Sequence, residues 1–449
     1  MMFCSWNLRT AQHLCTTARA CRRASTLRQP VAASTLVRGE LDAAEAAGRA
    51  CRELLDDLGG AKPTCVLWFA KGYGTRSEPV GKSFEESFSN AVVVGANSEG
   101  GLIGEGAETQ VETFALSALA LAMPNVSAYP FHCASLSSLP GLGRGGGWEV
   151  MSSGHISRCV LAFCGLPMSA ENDPQAWVAG FDSALAHTTS GHSGRLPVVV
   201  GGLSVGNHIH VDGSSLCGGG YGLLLEGNTS GVRLDAVVCQ GAVPFGPWLT
   251  ITGVQGDHLI TSLNGRSPEE VLRPLLHGPE VPGEGHSMAG IFVDPTPDHQ
   301  LQASPASLAE AALGGRPSCL VRPMHSFTPT GELVLSPLTP GRPYSVGMQL
   351  QLHCFSAEHA LQDLRSRAQH DLALHDGVPP DAAVVISCGA RGLQMYGTEG
   401  VESEALEEVW GCKVPTVGFF AGGEIGPVGL KTYMHSYTTS CLMLRTRRA

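Results

Sequence analysis

The sequence predicts an α/β fold of the mixed α+β kind: two related sheet-and-helix halves, with short strands and hairpins between the terminal repeat units. Three observations predict it. Of 449 residues, 57 are glycine and 28 proline, which favours tight turns and short strands over long helices. Hydrophobic residues make up 43% and charged residues 15%, the balance of a globular chain with a large core. One order of elements (helix, strand, helix, strand, glycine-and-glutamate turn, strand) is written once near each end.

From the N-terminus, residues 1–39 stand apart. They hold six arginines and no lysine, and no acidic residue occurs before Glu40, the composition of an organelle transit peptide. Without them the remainder is more acidic than the −11 of the whole chain, which argues against nucleic acid or an anionic membrane as partner. No apolar run is long enough to span a bilayer. Next, "LDAAEAAGRACRELLDDLG" sets Ala44, Ala47, Cys51, Leu54 and Leu58 on one helical face and stops at glycine. The strand "TCVLWFA", a short helix around "SFEESF", the strand "AVVVGA", the turn "GGLIGEGAE" and the strand "ETFALSALAL" complete this unit.

The middle of the chain reads as short strands and hairpins: "LPVVVGGLS", "GGGYGLLLEG", "VRLDAVVCQG", "PWLTIT" and "DHLITSLNG". A boundary near Gly241, in "CQGAVPFGP", divides a first domain over 40–240 from a second over 241–445. The second unit then runs through the helix "AEHALQDLRSRAQHDLALH", the strand "AAVVISC", the helix "ESEALEEVW", the strand "VPTVGFF", the turn "AGGEIGP" and the strand "SYTTSCLML". The fifteen cysteines include no CxxC pair and sit mostly in apolar runs, as small core residues in a reducing compartment do.

Three motif-like stretches carry little. "GTRSEPVGKS" lacks the first glycine of a phosphate loop, with Arg76 in its place and Glu78 set to repel phosphate. "GLGRGG" matches a dinucleotide fingerprint at Gly141, Gly143 and Gly146 without a strand before it. "HIHVD" aligns His208, His210 and Asp212 with no further ligand for a metal. No cofactor or metal is expected.

"SCGARGLQMYG" and "GFFAGGEIGPVG" are different. Cys388 ends an apolar strand and enters a turn through Gly389 and Gly392, which places its thiol at the edge where α/β sheets hold their sites. Arg391 offers a forked cation to a carboxylate or phosphate. Glu424, among Gly422, Gly423 and Gly426, offers a carboxylate to backbone N–H groups or a ligand amine. The competing structural reading is an Arg391–Glu424 ion pair that staples two turns.

"VVISCGARGLQMYG", "VPTVGFFAGGEIGPVG" and "YMHSYTTSCLMLR" resemble the closing motifs of the FIST C-terminal domain, and "CQGAVPFGPWLTITGVQGDHLITSLNG" resembles its opening. "VVVGANSEGGLIGEGAE" and "VVVGGLS" resemble the FIST N-terminal domain, so the resemblance covers roughly residues 64 to 445. It implies an intracellular sensory module that binds a small ligand, such as an amino acid or a related carboxylate. Relatives in animals form the substrate-recruiting part of an F-box protein, so an adaptor with a protein partner is an alternative. The family's Cys-x-Gly-Arg-Gly turn falls on Cys388, Arg391 and Gly392, and its Gly-Glu-Ile-Gly-Pro turn on Gly423, Glu424, Ile425, Gly426 and Pro427. His435 and Tyr437 fall on its His-x-Tyr-Thr pattern.

Ala390 replaces a usual glycine and Gly422 a common asparagine, and the "ANSEGGLIG" loop is one residue longer than usual. The text is most similar to FIST proteins of the cyanobacterial type. With the leader, this points to the plastid ahead of the mitochondrion. The expected ligand site comprises Cys388, Arg391, Gly392, Gly422, Gly423, Glu424, Gly426 and His435. A cysteine-dependent enzyme is the further alternative, with Cys388 as nucleophile and His435 as its candidate base.

Overall fold

The computed structural model describes residues 31–446 apart from 41, 124, 135–155, 166–172, 187–197, 230, 284, 293–318, 339–342 and 430. The mixed α/β class is as expected, but the unit legible twice in the sequence occurs three times. The first copy is β1 (Ala32–Arg38), α1 (Ala43–Leu58), β2 (Cys65–Lys71), α2 (Glu78–Ser87), β3 (Val92–Asn97), the hairpin β4 (Leu102–Gly104) and β5 (Ala107–Thr109), then β6 (Ala115–Leu121). The second is β7 (Val126–Cys133), β8 (Ile156–Gly165), α3 (Pro174–Ala186), β9 (Val198–Ser204), the hairpin β10 (His208–Val211) and β11 (Ser214–Cys217), then β12 (Gly219–Asn228).

The third copy begins at β13 (Val232–Cys239). It is interrupted by β14 (Ala242–Gln255), β15 (Leu259–Leu263), α4 (Pro268–Leu276), β16 (His286–Phe292), β17 (Cys319–Phe327), β18 (Leu333–Leu335) and β19 (Gln349–Phe355). It resumes with α5 (Ala357–Ala373), β20 (Ala382–Cys388), α6 (Leu393–Tyr396), α7 (Val401–Trp410) and β21 (Thr416–Ala421). The hairpin β22 (Glu424–Val428) and β23 (Lys431–His435), then β24 (Thr439–Thr446), complete it.

Each copy builds one six-stranded sheet to a common plan. Its last strand lies antiparallel between its first and second, and its second and third run parallel. The fifth and sixth strands are supplied by a neighbouring copy, because every hairpin leaves its own sheet. β4–β5 of the first copy adds to β21 of the third, β10–β11 of the second to β3 of the first, and β22–β23 of the third to β9 of the second. The exchange closes a ring, so the three sheets are not independent domains. Their inner faces share one core, and Phe69, Phe163 and Phe419, one from each sheet, meet with ring centroids 4.7, 5.3 and 5.9 Å apart. Each ring so buried contributes about 2 kcal/mol.

Helices cover the outer faces: α1 and α2 the first sheet, α3 the second, α5 and α7 the third. In α1, Asp42 caps the N-terminus and Gly59, left-handed at φ 56°, ends it; Ala47, Cys51, Leu54 and Leu58 are buried as expected, joined by Ala43, Ala46 and Ala50, while Ala44 faces outward. Strands β14–β19 close into a barrel filled by Phe245, Ile251, Ile260, Ile291, Leu320 and Leu352.

Two expected boundaries move. Residues 32–38, inside the expected leader, pair with β6 at all seven positions, Val37 is fully buried, and Val31 accepts the Ala122 N–H and packs on the core, so any cleaved leader would end before Val31. Gly241 does not separate the chain into halves; it leads from β13, already in the third sheet, into the inserted barrel.

Candidate functional site

Cys388 sits half-buried at the C-terminal end of β20, as its strand and turn predicted. Its N–H donates to Thr438 O at 3.0 Å, and the nearby backbone N–H groups of Ala390 and Tyr437 favour the ionised form of its sulfur. Burial, with the Glu424 carboxyl alongside, nevertheless pushes the thiol well above its usual range.

Arg391 points inward. Its side chain is wholly buried, and all five N–H donors are spent within the protein. Nε donates to Glu402 Oε1 at 2.5 Å, Nη1 to the carbonyls of Cys239 (3.3 Å) and Tyr437 (3.1 Å), and Nη2 to Ala360 O (3.2 Å) and the Tyr396 hydroxyl (3.4 Å). Burial opposes its charge, but Glu402 overcomes this and holds the guanidinium firmly protonated. The ion pair foreseen for Arg391 exists with Glu402 instead of Glu424. In "VESEALEEVW" Glu402 reads as a solvent-facing helical charge, so nothing in the sequence marks it. Its second oxygen accepts the hydroxyls of Ser387 and Thr439.

Glu424 opens β22 and is fully buried; Oε2 accepts the Thr438 N–H at 3.1 Å and Oε1 has no hydrogen-bond partner. Burial pushes its pKa up to about 8, well above the ordinary carboxylate range. His435 lies directly across the hairpin; Nε2 donates to Gly426 O at 3.0 Å, Nδ1 is unpartnered, and burial drives the ring down to about 3, leaving it neutral.

The threefold plan shows how unusual this pair is. Leu102, Ile209 and Glu424 occupy one place, opposite Phe419, Ala96 and Gly202, and their cross-strand partners are Thr109, Leu216 and His435. By the same register Lys71, Gly165 and Cys388 are equivalent. Only the third copy puts a thiol, a buried carboxyl and a buried imidazole where its siblings have none of these.

The glycines have packing duties. A side chain at Gly392, with φ 64°, would strike Gln110 Oε1 at 2.2 Å, the atom that accepts the Leu393 N–H; one at Gly426 would meet Ser440 Oγ at 2.7 Å. Gly422 is exposed and Gly423 buried, and both bond the backbone of Leu203 on β9. Glu108, from the first glycine-and-glutamate turn, is remote in role: it accepts the N–H groups of Gly400, Glu402 and Ser403 at the start of α7.

Beside this cluster lies a cleft of about 650 Å³. The barrel contributes Met288, Met324, His325 and Ser336 to it, and the opposite wall is the turn Ser436–Tyr437. Among the described residues, no aspartate or glutamate lines it, although the chain is acidic overall. Tyr437 has φ 60°, a left-handed backbone in a bulky residue, and its ring packs on Phe355 at 5.2 Å.

The weaker motifs resolve into structure. Gly81 lies inside α2 and makes room for His210, whose Nε2 contacts Glu85 Oε1 at 2.8 Å; Asp212 occupies the hairpin turn. "GLGRGG" lies outside the described residues. Among the described residues, the one grouping with metal-ligand spacing is Asp235, Asp371 and His375, and there the Arg445 guanidinium already pairs with Asp371.

Comparison with known proteins adds the following. Residues 298–427 match the FIST C domain family. The uncharacterized protein Rv0628c of Mycobacterium tuberculosis is 30% identical over 223 residues, 48% of this chain and 54% of that one. The uncharacterized protein Mb0898c of Mycobacterium bovis is 30% identical over 224 residues, 48% and 53% respectively. The chain thus spans about half the length of the curated relatives it matches. Among solved structures, PurLQS from Thermotoga maritima aligns over 93% of this chain and 73% of that one at 10% identity and a TM-score of 0.20, too slight to bear on the fold.

Proposed function

We propose that the chain is a sensory module that binds a small carboxylate, an amino acid or a related acid, in the cleft against the Ser436–Tyr437 turn. The observation that carries this is the position of Tyr437. Tyr437 lines the cleft, its N–H lies near the Cys388 sulfur and its carbonyl accepts from Arg391, while the next N–H holds Glu424. A ligand that displaces this turn therefore alters the surroundings of Cys388 and Glu424 together. The left-handed backbone of Tyr437 costs roughly 1–2 kcal/mol, strain that a ligand seated on the turn could relieve. A cleft without carboxylates, bearing histidines and hydroxyls, suits an anionic guest.

The basic, acid-free residues before Val31 support delivery to an organelle, the plastid first; a fluorescent fusion of residues 1–30 that stays diffuse in the cytosol would remove that element of the reading. The binding reading is tested by a thermal-shift screen of free amino acids and small mono- and dicarboxylates. At least one should raise the melting temperature of the protein and lose that effect in Tyr437→Ala. A panel with no effect on the wild type, or an equal effect on the variant, counts against the cleft.

A further inference from the structure

We propose that Cys388 is the nucleophile of an acyl-transfer step in which Glu424 takes up and returns the proton, so that the acid handled by the module arrives as an activated acyl group such as a thioester. The class of acid rests on the binding reading above; the nucleophile and its base rest on geometry of their own.

The thiol stands half-buried at the C-terminal edge of β20, near the backbone N–H groups of Ala390 and Tyr437. Such donors favour negative charge on sulfur. On the other side lies the Glu424 carboxyl. Thr438 fixes both partners, its carbonyl accepting the Cys388 N–H at 3.0 Å and its own N–H donating to Glu424 Oε2 at 3.1 Å. The remaining oxygen, Oε1, is buried without a partner, a costly state that the equivalent Leu102 and Ile209 avoid. A carboxyl kept there against that cost, beside a thiol that the other two copies lack, is suited to moving a proton. His435 is not the base: its Nε2–H is committed to Gly426 O, and the hydrogen bonds place no group between its free Nδ1 and the sulfur.

The chemistry balances without an external oxidant or metal. With Glu424 ionised, the sulfur attacks the acyl carbon as the carboxylate takes the S–H proton. An S–C bond forms and the carbonyl pair moves onto oxygen. When that pair returns, the bond to the leaving thiolate breaks and Glu424 gives it the proton. Water then attacks the Cys388 thioester, Glu424 takes its proton, and the proton passes to the departing Cys388 sulfur as the free acid leaves. Acyl thioester and water have become acid and thiol. The titratable and charged groups facing Glu424 are Cys388, Arg391, Glu402 and, across the hairpin, His435. Since burial raises the Glu424 carboxyl, acylation should quicken as the pH rises and that carboxyl ionises.

The test uses p-nitrophenyl acetate as the probe, with p-nitrophenolate release and peptide mass spectrometry as readouts. One acetyl group should appear on Cys388, faster as the pH rises. Glu424→Gln should slow it by about 100-fold and flatten the pH profile, and Cys388→Ser should take no acetyl at that position while melting like the wild type. Acetylation of exposed Cys217 as fast as Cys388, or a Glu424→Gln protein with the wild-type rate and profile, would overturn the proposal. If carboxylates stabilise the protein through Tyr437 while Cys388 stays unmodified, the acyl step fails and the binding reading stands. If Cys388 is acetylated through Glu424 and no carboxylate binds, the nucleophile stands and the cleft reading fails.

Discussion

Arg391→Ala separates a structural arginine from a ligand-binding one. The substitution leaves the Glu402 carboxylate, 1% exposed, without its countercharge, and deprives the carbonyls of Cys239, Tyr437 and Ala360 of donors from β20's closing turn. Breaking a buried ion pair by removing one partner costs about 3–5 kcal/mol. At roughly 2 °C per kcal/mol for a large cooperative unit, the melting temperature should fall by about 6–10 °C. Arg391→Lys should lie between, because an ammonium keeps the charge but has only three donors and no planar fork. The double variant Arg391→Met with Glu402→Leu should recover some of the loss, since no buried charge is then left alone. Thermal unfolding followed by circular dichroism reads all of these. An Arg391→Ala protein that melts within about a degree of the wild type, yet no longer binds a carboxylate that the wild type binds, would refute the reasoning and return the guanidinium to the ligand.

Removal of residues 1–30 should leave the melt unchanged, whereas removal of residues 1–39 takes away β1 and should give insoluble protein or a broad, non-cooperative transition, followed by calorimetry. Glu108→Ala should cost about 1–2 kcal/mol in denaturant unfolding, because the start of α7 loses a cap supplied by the first copy's hairpin. Glu424 contributes stability that is complete below its ordinary value of 4.5 and is lost as the pH rises through its raised folded value, because the folded protein holds the proton more tightly. Glu424→Gln should therefore gain on the wild type as the pH rises. His435 acts in the opposite sense at lower pH: its depressed folded value makes stability fall as the pH drops below 6.5, so the two slopes are separable by comparing Glu424→Gln with His435→Gln across pH 4 to 9.

The copies at the two chain ends were legible because their strands are unbroken apolar runs and α1 has a clear period, cap and stop. The middle copy was not, because between "SAYPFHC" and "VVVGGLS" no amphipathic helix as regular as α1 announces it, and its helix carries few polar residues, Gln175, Asp182 and Ser183, to mark an outer face. Hairpin exchange leaves no trace in a local pattern either. "GLIGEGAE" reads as a turn whichever sheet it joins, and only the register shows that Leu102 answers Glu424. At the site, the place of Cys388 followed from a strand ending in glycine. The direction of Arg391 did not, because its partner Glu402 lies in a helix whose other acids face solvent. Tyr437 carried a family pattern but no signal for its left-handed backbone, which is set by the tight return from β23 to β24 and matches Gly218 at the corresponding turn of the second copy.

The link between cleft and thiol is tested most directly by the rate at which iodoacetamide alkylates Cys388, mapped by peptide mass spectrometry in the presence of each carboxylate that raises the melting temperature, with exposed Cys217 as the internal control. A ligand seated against Tyr437 should change the Cys388 rate several-fold and leave Cys217 unaffected, because the Tyr437 N–H is one of the two that lie near the sulfur. An unchanged Cys388 rate with a carboxylate that stabilises the protein would mean that the turn does not carry binding to the thiol.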